Sequence, residues 1–312
     1  MYFDNIKGQE FAKKYMTNSI KRDKINHAYM FDGIEGIGKE TFANELAKIL
    51  LETHNLENAP DCIRVKPDGN SIKIAQIRNL QSDIVVKPHK KYKIYIIDKA
   101  EKMTIEGQNA LLKTLEEPPE YAIIILVTNN KESLLPTIRS RCEVIKFTPI
   151  PFIEVKNYLI SQGVEENRAN LLSSFSRGSM KKALELSSSN DFYEMKESIQ
   201  SYIEKILSNN MVEILNIPNE MEKYKIEIVA VLDMMINYFR DIMICKEHVD
   251  KNMIINADKI VFIQNMSSKI TYSQVSKIID IIEDTKIKIR GNCNFSVSVQ
   301  VMCLNIYEVI KW

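Results

Sequence analysis

Gly33-Ile34-Glu35-Gly36-Ile37-Gly38-Lys39-Glu40-Thr41 is the stretch on which the reading of this chain turns. It approaches the pattern G-x-x-x-x-G-K-[ST], in which backbone N–H groups cradle phosphates at a helix N-terminus, the Lys reaches the outer phosphates and a hydroxyl holds Mg²⁺. Glu40 occupies the hydroxyl position. A carboxylate there adds negative charge where a neutral metal ligand is needed, and Thr41 lies about 100° further round the helix. The flanks fit the pattern. His27 to Asp32 is a short β-prone run, and Phe42 to Leu51 has helical period with Phe42, Leu46, Ile49 and Leu50 on one side. Strand, glycine loop and helix follow one another, which predicts a P-loop domain whose phosphate cradle survives and whose metal chemistry does not.

The chain has 312 residues, enough for two or three domains. Lys and Arg total 42 and Asp and Glu 41, a formal net charge of +1. That balance is not the footprint of a protein that grips nucleic acid by itself. No apolar run approaches the length needed to span a bilayer, and Met1 to Asn5 is not a basic start followed by an apolar stretch, so no membrane association is expected and the cytoplasm is the expected compartment. Cys62, Cys142, Cys245, Cys293 and Cys303 form no C-x-x-C pair, and His27, His54, His89 and His248 are equally dispersed. Neither a disulfide framework nor a thiolate zinc site is expected.

Outward from the loop, Glu10 to Arg22 reads as a helix and Asn58 to Ser71, with Pro60, Pro67 and Gly69, as a loop. A helix carrying Ile77, Leu80 and Ile84 follows, closed by Lys87-Pro88-His89-Lys90-Lys91, a basic loop face. Tyr92 to Asp98 is β-branched and aromatic and ends in an acid, the kind of strand that delivers its Asp beside a glycine loop in P-loop proteins. Lys99 comes next, and a charged ammonium has no lone pair with which to activate water. Thr104 caps a predicted helix that runs to Glu117 and stops at Pro118-Pro119; Tyr121 to Thr128 is a buried strand with Asn129 at its end; Glu143 to Phe147 is a further strand. Alternating strands and helices predict a parallel sheet covered on both faces, with ligand chemistry at the strands' C-terminal edge. Thr148-Pro149-Ile150-Pro151 ends this pattern, and everything beyond is helical in period, with Ile228, Val231, Met235 and Tyr238 as core positions. The expected divisions are 1–149, a P-loop nucleotide-binding-like domain, 150–190, a small helical lid, and 191–312, an all-α C-terminal domain.

The segments taken together resemble the clamp-loader AAA+ family of bacterial DNA polymerase III, and within it the delta-prime subunits. The match is carried by His27-Ala28-Tyr29-Met30-Phe31, the glycine loop, Tyr92 to Asp98, Asn109-Ala110-Leu111-Leu112-Lys113-Thr114-Leu115-Glu116-Glu117-Pro118-Pro119, and Thr137-Ile138-Arg139-Ser140-Arg141-Cys142. It is dense from the N-terminus to about Leu184 and looser in the remaining helices, where the resemblance implies a collar domain for oligomerisation. It implies a vestigial nucleotide site made of Gly33, Gly36, Gly38, Lys39, Asp98, Asn129 as a polar sensor, and Lys181, which stands where hydrolysing relatives have a sensor Arg. Motor-type members have Ser or Thr at Glu40 and Glu at Lys99. The resemblance therefore implies a non-hydrolysing subunit with no required cofactor; ATP or ADP binding is left open. Many relatives carry four zinc-binding cysteines where this chain has only Cys62, so zinc is not expected.

Arg141 of the Ser-Arg-Cys motif is implied to act in trans, reaching the ATP site of an adjacent subunit, an effect worth about 10³ to 10⁵ in rate in arginine-finger systems. The alternative for Arg141 is a local pair with a carboxylate at the sheet edge. The implied setting is a hetero-oligomer with motor (tau/gamma) and delta subunits, which places the sliding clamp on primer-template DNA during replication as part of a DNA-directed DNA polymerase holoenzyme. The competing reading is an active AAA+ ATPase, the motor subunit itself, against which Glu40 and Lys99 speak.

Overall fold

A computed structural model of the protein describes residues 2–208, 210–247 and 254–311, apart from the side chains at positions 190 and 191; His248 lies outside them. The chain divides into two compact units, Met1–Tyr158 with Ser176–Leu184, and Leu159–Phe175 with Glu185–Trp312. The stretch 150–190, expected as a lid, is shared between the two.

The first unit is built on a five-stranded sheet in the order β2-β3-β4-β1-β5, with β1 at Ala28–Asp32, β2 at Cys62–Val65, β3 at Lys93–Ile97, β4 at Ala122–Thr128 and β5 at Glu143–Lys146. Every pairing is parallel. Between the strands run α1 (Glu10–Lys21), which precedes β1, then α2 (Lys39–Leu50), α3 (Ile74–Ile84), α4 (Ile105–Glu116) and the short α5 (Pro136–Arg139). The period of two along each strand sorts the core into two layers. Tyr29, Phe31, Ile94, Ile96, Ile125 and Ile145 pack with Met16 of α1 and Phe42 and Leu46 of α2. Met30, Tyr95, Ile97, Ile124 and Leu126 pack with Ile77 and Leu80 of α3, Leu111 and Leu115 of α4 and Ile138 of α5. Both faces are buried, which is why β3 and β4 read as continuous apolar runs and why the sheet can be wholly parallel.

β2 corrects the reading of Asn58 to Ser71 as a loop. Cys62 to Val65 pairs with Ile94 to Ile97 in register. Four residues between Pro60 and Pro67 are too few to display alternation, so pairing with β3 decides their state, not local sequence. The strand sits at the sheet edge, where short length and nearby prolines are tolerated.

A cluster of aromatic rings seats the glycine loop. Phe31 at the end of β1 lies 5.6 Å from Phe42 and 5.2 Å from Phe147, and Phe42 lies 5.3 Å from Phe147. Phe3 stacks on Phe42 at 4.4 Å. Each fully buried Phe side chain contributes roughly 1.5–3 kcal/mol of hydrophobic stabilisation. The ends of β1 and α2 that flank the loop are therefore fixed by packing before any ligand is considered.

The second unit is helical. Besides its shares of α6 (Phe152–Ser161), α7 (Glu166–Ser176) and α8 (Met180–Ser188), it contains α9 (Asn190–Leu207), α10 (Met211–Met221), α11 (Ile228–Lys246), α12 (Ile260–Lys269), α13 (Tyr272–Arg290) and α14 (Phe295–Lys311). Ile228, Val231, Met235 and Tyr238 are buried, as their spacing predicts. Buried Lys286 pairs with Asp233 of α11 at 2.7 Å and with Glu283 at 2.8 Å, so the charge brought into the α11–α13 packing is neutralised on site. Thr271 and Gln274 form a reciprocal capping box that starts α13. No helix among the described residues is long and apolar enough to cross a membrane.

Candidate functional site

The glycine loop leaves β1 after Asp32 and enters α2 at Lys39, at the C-terminal edge of the sheet. Lys39 is only 5% exposed. Its ammonium donates to the Gly33 carbonyl at 2.7 Å, the Ile34 carbonyl at 2.6 Å and Asn129 Oδ1 at 2.9 Å. An ammonium has three donors, and all three are engaged within the protein. Burial pushes the Lys39 pKa down, against the opposing pull of Glu101, Asp32, Glu35 and Asp98. Asn129, just past β4, is itself fixed: its Nδ2 donates to Glu101 Oε1 at 3.0 Å and its backbone N–H to Glu101 Oε2 at 3.1 Å. Lys39, Asn129 and Glu101 thus form one closed polar chain beneath the loop.

The segment after Gly178 lies on top of the loop. The Lys181 N–H donates to the Gly36 carbonyl at 3.2 Å. Gly36 has φ +80°, and a Cβ there would stand 2.2 Å from Ser179 Oγ and 2.8 Å from Lys181 Cβ, so this approach requires glycine. Glu35 accepts from Lys181 Nζ at 3.1 Å and faces Lys99 Nζ at 3.6 Å. The hydrogen bond from Lys181, with Lys99 beside it, holds the Glu35 carboxyl below the usual glutamate range. From the other side Gln9 donates to the Ile37 carbonyl at 3.2 Å and the Thr148 carbonyl at 2.7 Å.

Glu40 points at the sheet edge and pairs with Arg64 of β2 at 3.3 Å and with Lys66 at 3.4 Å. Asp98 accepts from the Lys99 N–H at 3.0 Å, and burial, with Glu40 nearby, pushes its pKa up. Lys99 itself has φ +51°, a left-handed conformation uncommon for a residue with a side chain. The expected residues Gly33, Gly36, Lys39, Asn129 and Lys181 therefore lie within one set of contacts, and Asp98 adjoins it through Lys99. Gly38, at φ +96°, caps α2. Sequence reasoning did not single out Glu35, Glu101, Gln9, Arg64 or Lys66. Of these only Glu35 carried a local signal, its place inside the loop; the others come from distant positions in the chain. Among the described residues no group of three or more His, Cys, Asp and Glu converges to hold a metal ion.

Arg141 lies apart from this cluster, after α5. Its Nη2 pairs with Glu116 Oε1 at 2.7 Å and its Nη1 donates to the Thr137 carbonyl at 3.0 Å. The local carboxylate pair weighed as the alternative for Arg141 is present here, with the Arg side chain 35% and the Glu side chain 49% exposed. Neighbouring Cys142 is buried, and burial pushes its thiol up to about 12, so it packs as a neutral thiol.

Residues 8–151 match the family described as DNA polymerase III, delta subunit. The DNA polymerase III subunit delta' of Bacillus subtilis strain 168 is 30% identical over 327 aligned positions, covering 96% of each chain. The DNA polymerase III subunit tau of the same organism is 30% identical over 287 aligned positions, covering 78% of this chain but 50% of that longer protein. Among solved structures, a DNA polymerase III gamma subunit-related protein from Thermotoga maritima is 21% identical, covers 94% of this chain and 99% of its own, and gives a TM-score of 0.43. Because the likeness to subunit delta' runs through nearly the whole of both chains, through the helices beyond the sheet as well as the loop, this chain belongs to the delta-prime subunit family of the DNA polymerase III clamp loader.

Proposed function

We propose that this chain is a non-hydrolysing member of the clamp loader that lends Arg141 to an ATP-hydrolysing neighbour. The observation that carries the reading is the state of Lys39, whose three donors are all engaged by the chain's own oxygens. A phosphate seeking this lysine must displace three internal hydrogen bonds at a buried site. Glu40, engaged by Arg64 and Lys66, and Lys99, engaged by Glu35, add to it: Glu40 is no neutral metal ligand, and Lys99 is no base for water. The residues Gly33, Gly36, Gly38, Lys39, Asp98, Asn129 and Lys181 then form a vestigial site that orders the loop, with no cofactor required.

Arg141 is partly exposed, charged and held by groups it can exchange, as suits a residue acting on a neighbour's phosphates. The partners in this reading are tau/gamma-type motor subunits and a delta subunit, joined through the C-terminal helices, with the sliding clamp and primed DNA engaged by the assembly. The test is steady-state ATP hydrolysis by the purified chain with Mg²⁺ and primed DNA, beside its Lys39→Ala variant. Equal rates are expected. Turnover that disappears in the variant would overturn the non-hydrolysing reading and put the motor-subunit alternative in its place.

A further inference from the structure

Arg141 has a fixed backbone and an exchangeable head. Its N–H donates to the Ile138 carbonyl at 3.1 Å, and Ile138 and Cys142 on either side are buried in the core beneath α4 and α5. The guanidinium, by contrast, lies at the surface between two acceptors, the Glu116 carboxylate and the Thr137 carbonyl. Glu116 is the last residue of α4, so the cation also rests at the negative end of that helix.

We propose that Glu116 is the positioning residue for Arg141: its carboxylate holds the guanidinium on the end of α4 until a neighbour's triphosphate competes for the same N–H groups. The inference rests on the in-trans reading given above. An exposed pair of this kind favours the held position by only about two- to fivefold. A triphosphate offers several negative charges and oxygens that match the guanidinium fork, so it outcompetes one carboxylate. Exchange needs only rotation of an exposed side chain, which is fast compared with turnover. While the pair is closed, Glu116 cancels the charge of Arg141, and the corner offers little attraction to anions in general. Glu116 thereby acts as a competitor to the nucleotide's phosphates, and its influence appears in how much ATP is needed, not in the chemistry.

The experiment is an ATP titration of the clamp-loader complex reconstituted from this full chain and its motor and delta subunits, comparing the wild type with Glu116→Gln, Arg141→Ala and the double variant. Glutamine keeps the size of the side chain and removes its charge. Glu116→Gln is expected to lower KM for ATP about two- to fivefold, Arg141→Ala to raise KM as well as lower kcat, and the KM effect of Glu116→Gln to vanish when Arg141 is already Ala. If Arg141→Ala lowers kcat while Glu116→Gln leaves KM unmoved, the finger stands and the role of Glu116 falls. A KM shift that persists without Arg141 also overturns it, because the carboxylate would then be acting directly on the nucleotide. Should Arg141→Ala change nothing, the in-trans reading fails, and this inference with it.

Discussion

The glycine loop and the Arg141 corner are both built from charged groups on the same sheet unit, yet they are held in opposite ways. In the loop, Lys39 is 5% exposed and its ammonium is held by two carbonyls and an amide of the chain itself. At the corner, Arg141 and Glu116 meet at the surface, partly open to solvent, where the pair can open at small cost. Buried hydrogen bonds are expensive to leave unmade, whereas exposed ones exchange with water or with another anion. The difference separates a site closed on itself from one whose charge can exchange partners, which is what the proposed in-trans role of Arg141 needs.

The largest effect expected from this contrast is kinetic. In the reconstituted complex, Arg141→Ala should lower ATP turnover at the neighbouring site by about 10³-fold, and Lys39→Ala in this chain should lower it far less; a reversed ranking would break the comparison outright. Next comes the packing that closes the loop. Gly178 has φ +80°, and a Cβ there would lie 2.6 Å from Pro149 Cβ and 2.8 Å from both the N and O of Ile150. Those are largely backbone atoms that cannot step aside, so Gly178→Ala should destabilise by about 2–4 kcal/mol in urea unfolding. An unchanged midpoint would mean that the segment does not sit on Pro149 and Ile150 in solution.

Lys39→Ala should destabilise the isolated chain by about 1 kcal/mol, because the Gly33 and Ile34 carbonyls lose their donor in a part-buried place. A null result in thermal unfolding would show that water replaces the ammonium, and the loop would then be more open than its geometry indicates. The smallest effect concerns pH. The folded pKa of Glu35 lies below its unfolded value, chiefly through Lys181, so its contribution is present above the ordinary glutamate range and is lost as pH falls through the lowered folded value. The stability difference between the wild type and Glu35→Gln should accordingly be small at neutral pH and vanish in acid. A difference that grows on acidification would assign Glu35 the wrong partners.

Much of this molecule could be read along the chain. The β1-loop-α2 unit, the strand ending at Asp98, the capped helix from Thr104 and the Asn129 position all follow from short-range rules, because glycine, proline and alternating apolar residues act within a few positions of themselves. β2 was illegible because four residues between prolines become a strand only when β3 lies beside them. The substitutions at Glu40 and Lys99 were visible as departures from a pattern, but their partners were not. Arg64 and Lys66 come to Glu40 from β2, and Glu35 meets Lys99 and Lys181 across 64 and 146 positions (99 − 35 and 181 − 35).

By itself the sequence determined the order of strands and helices in the sheet unit apart from β2, the altered loop and the presence of Arg141 in its motif, since each depends on residue type and near neighbours. Only the tertiary structure decided that Lys39 closes the loop on itself, that Glu35 stands between two lysines, and that Glu116 faces Arg141. Those are pairings between distant positions, and charge and hydrogen-bond capacity say what a residue can bind, while the packing of the sheet unit alone says what it is near.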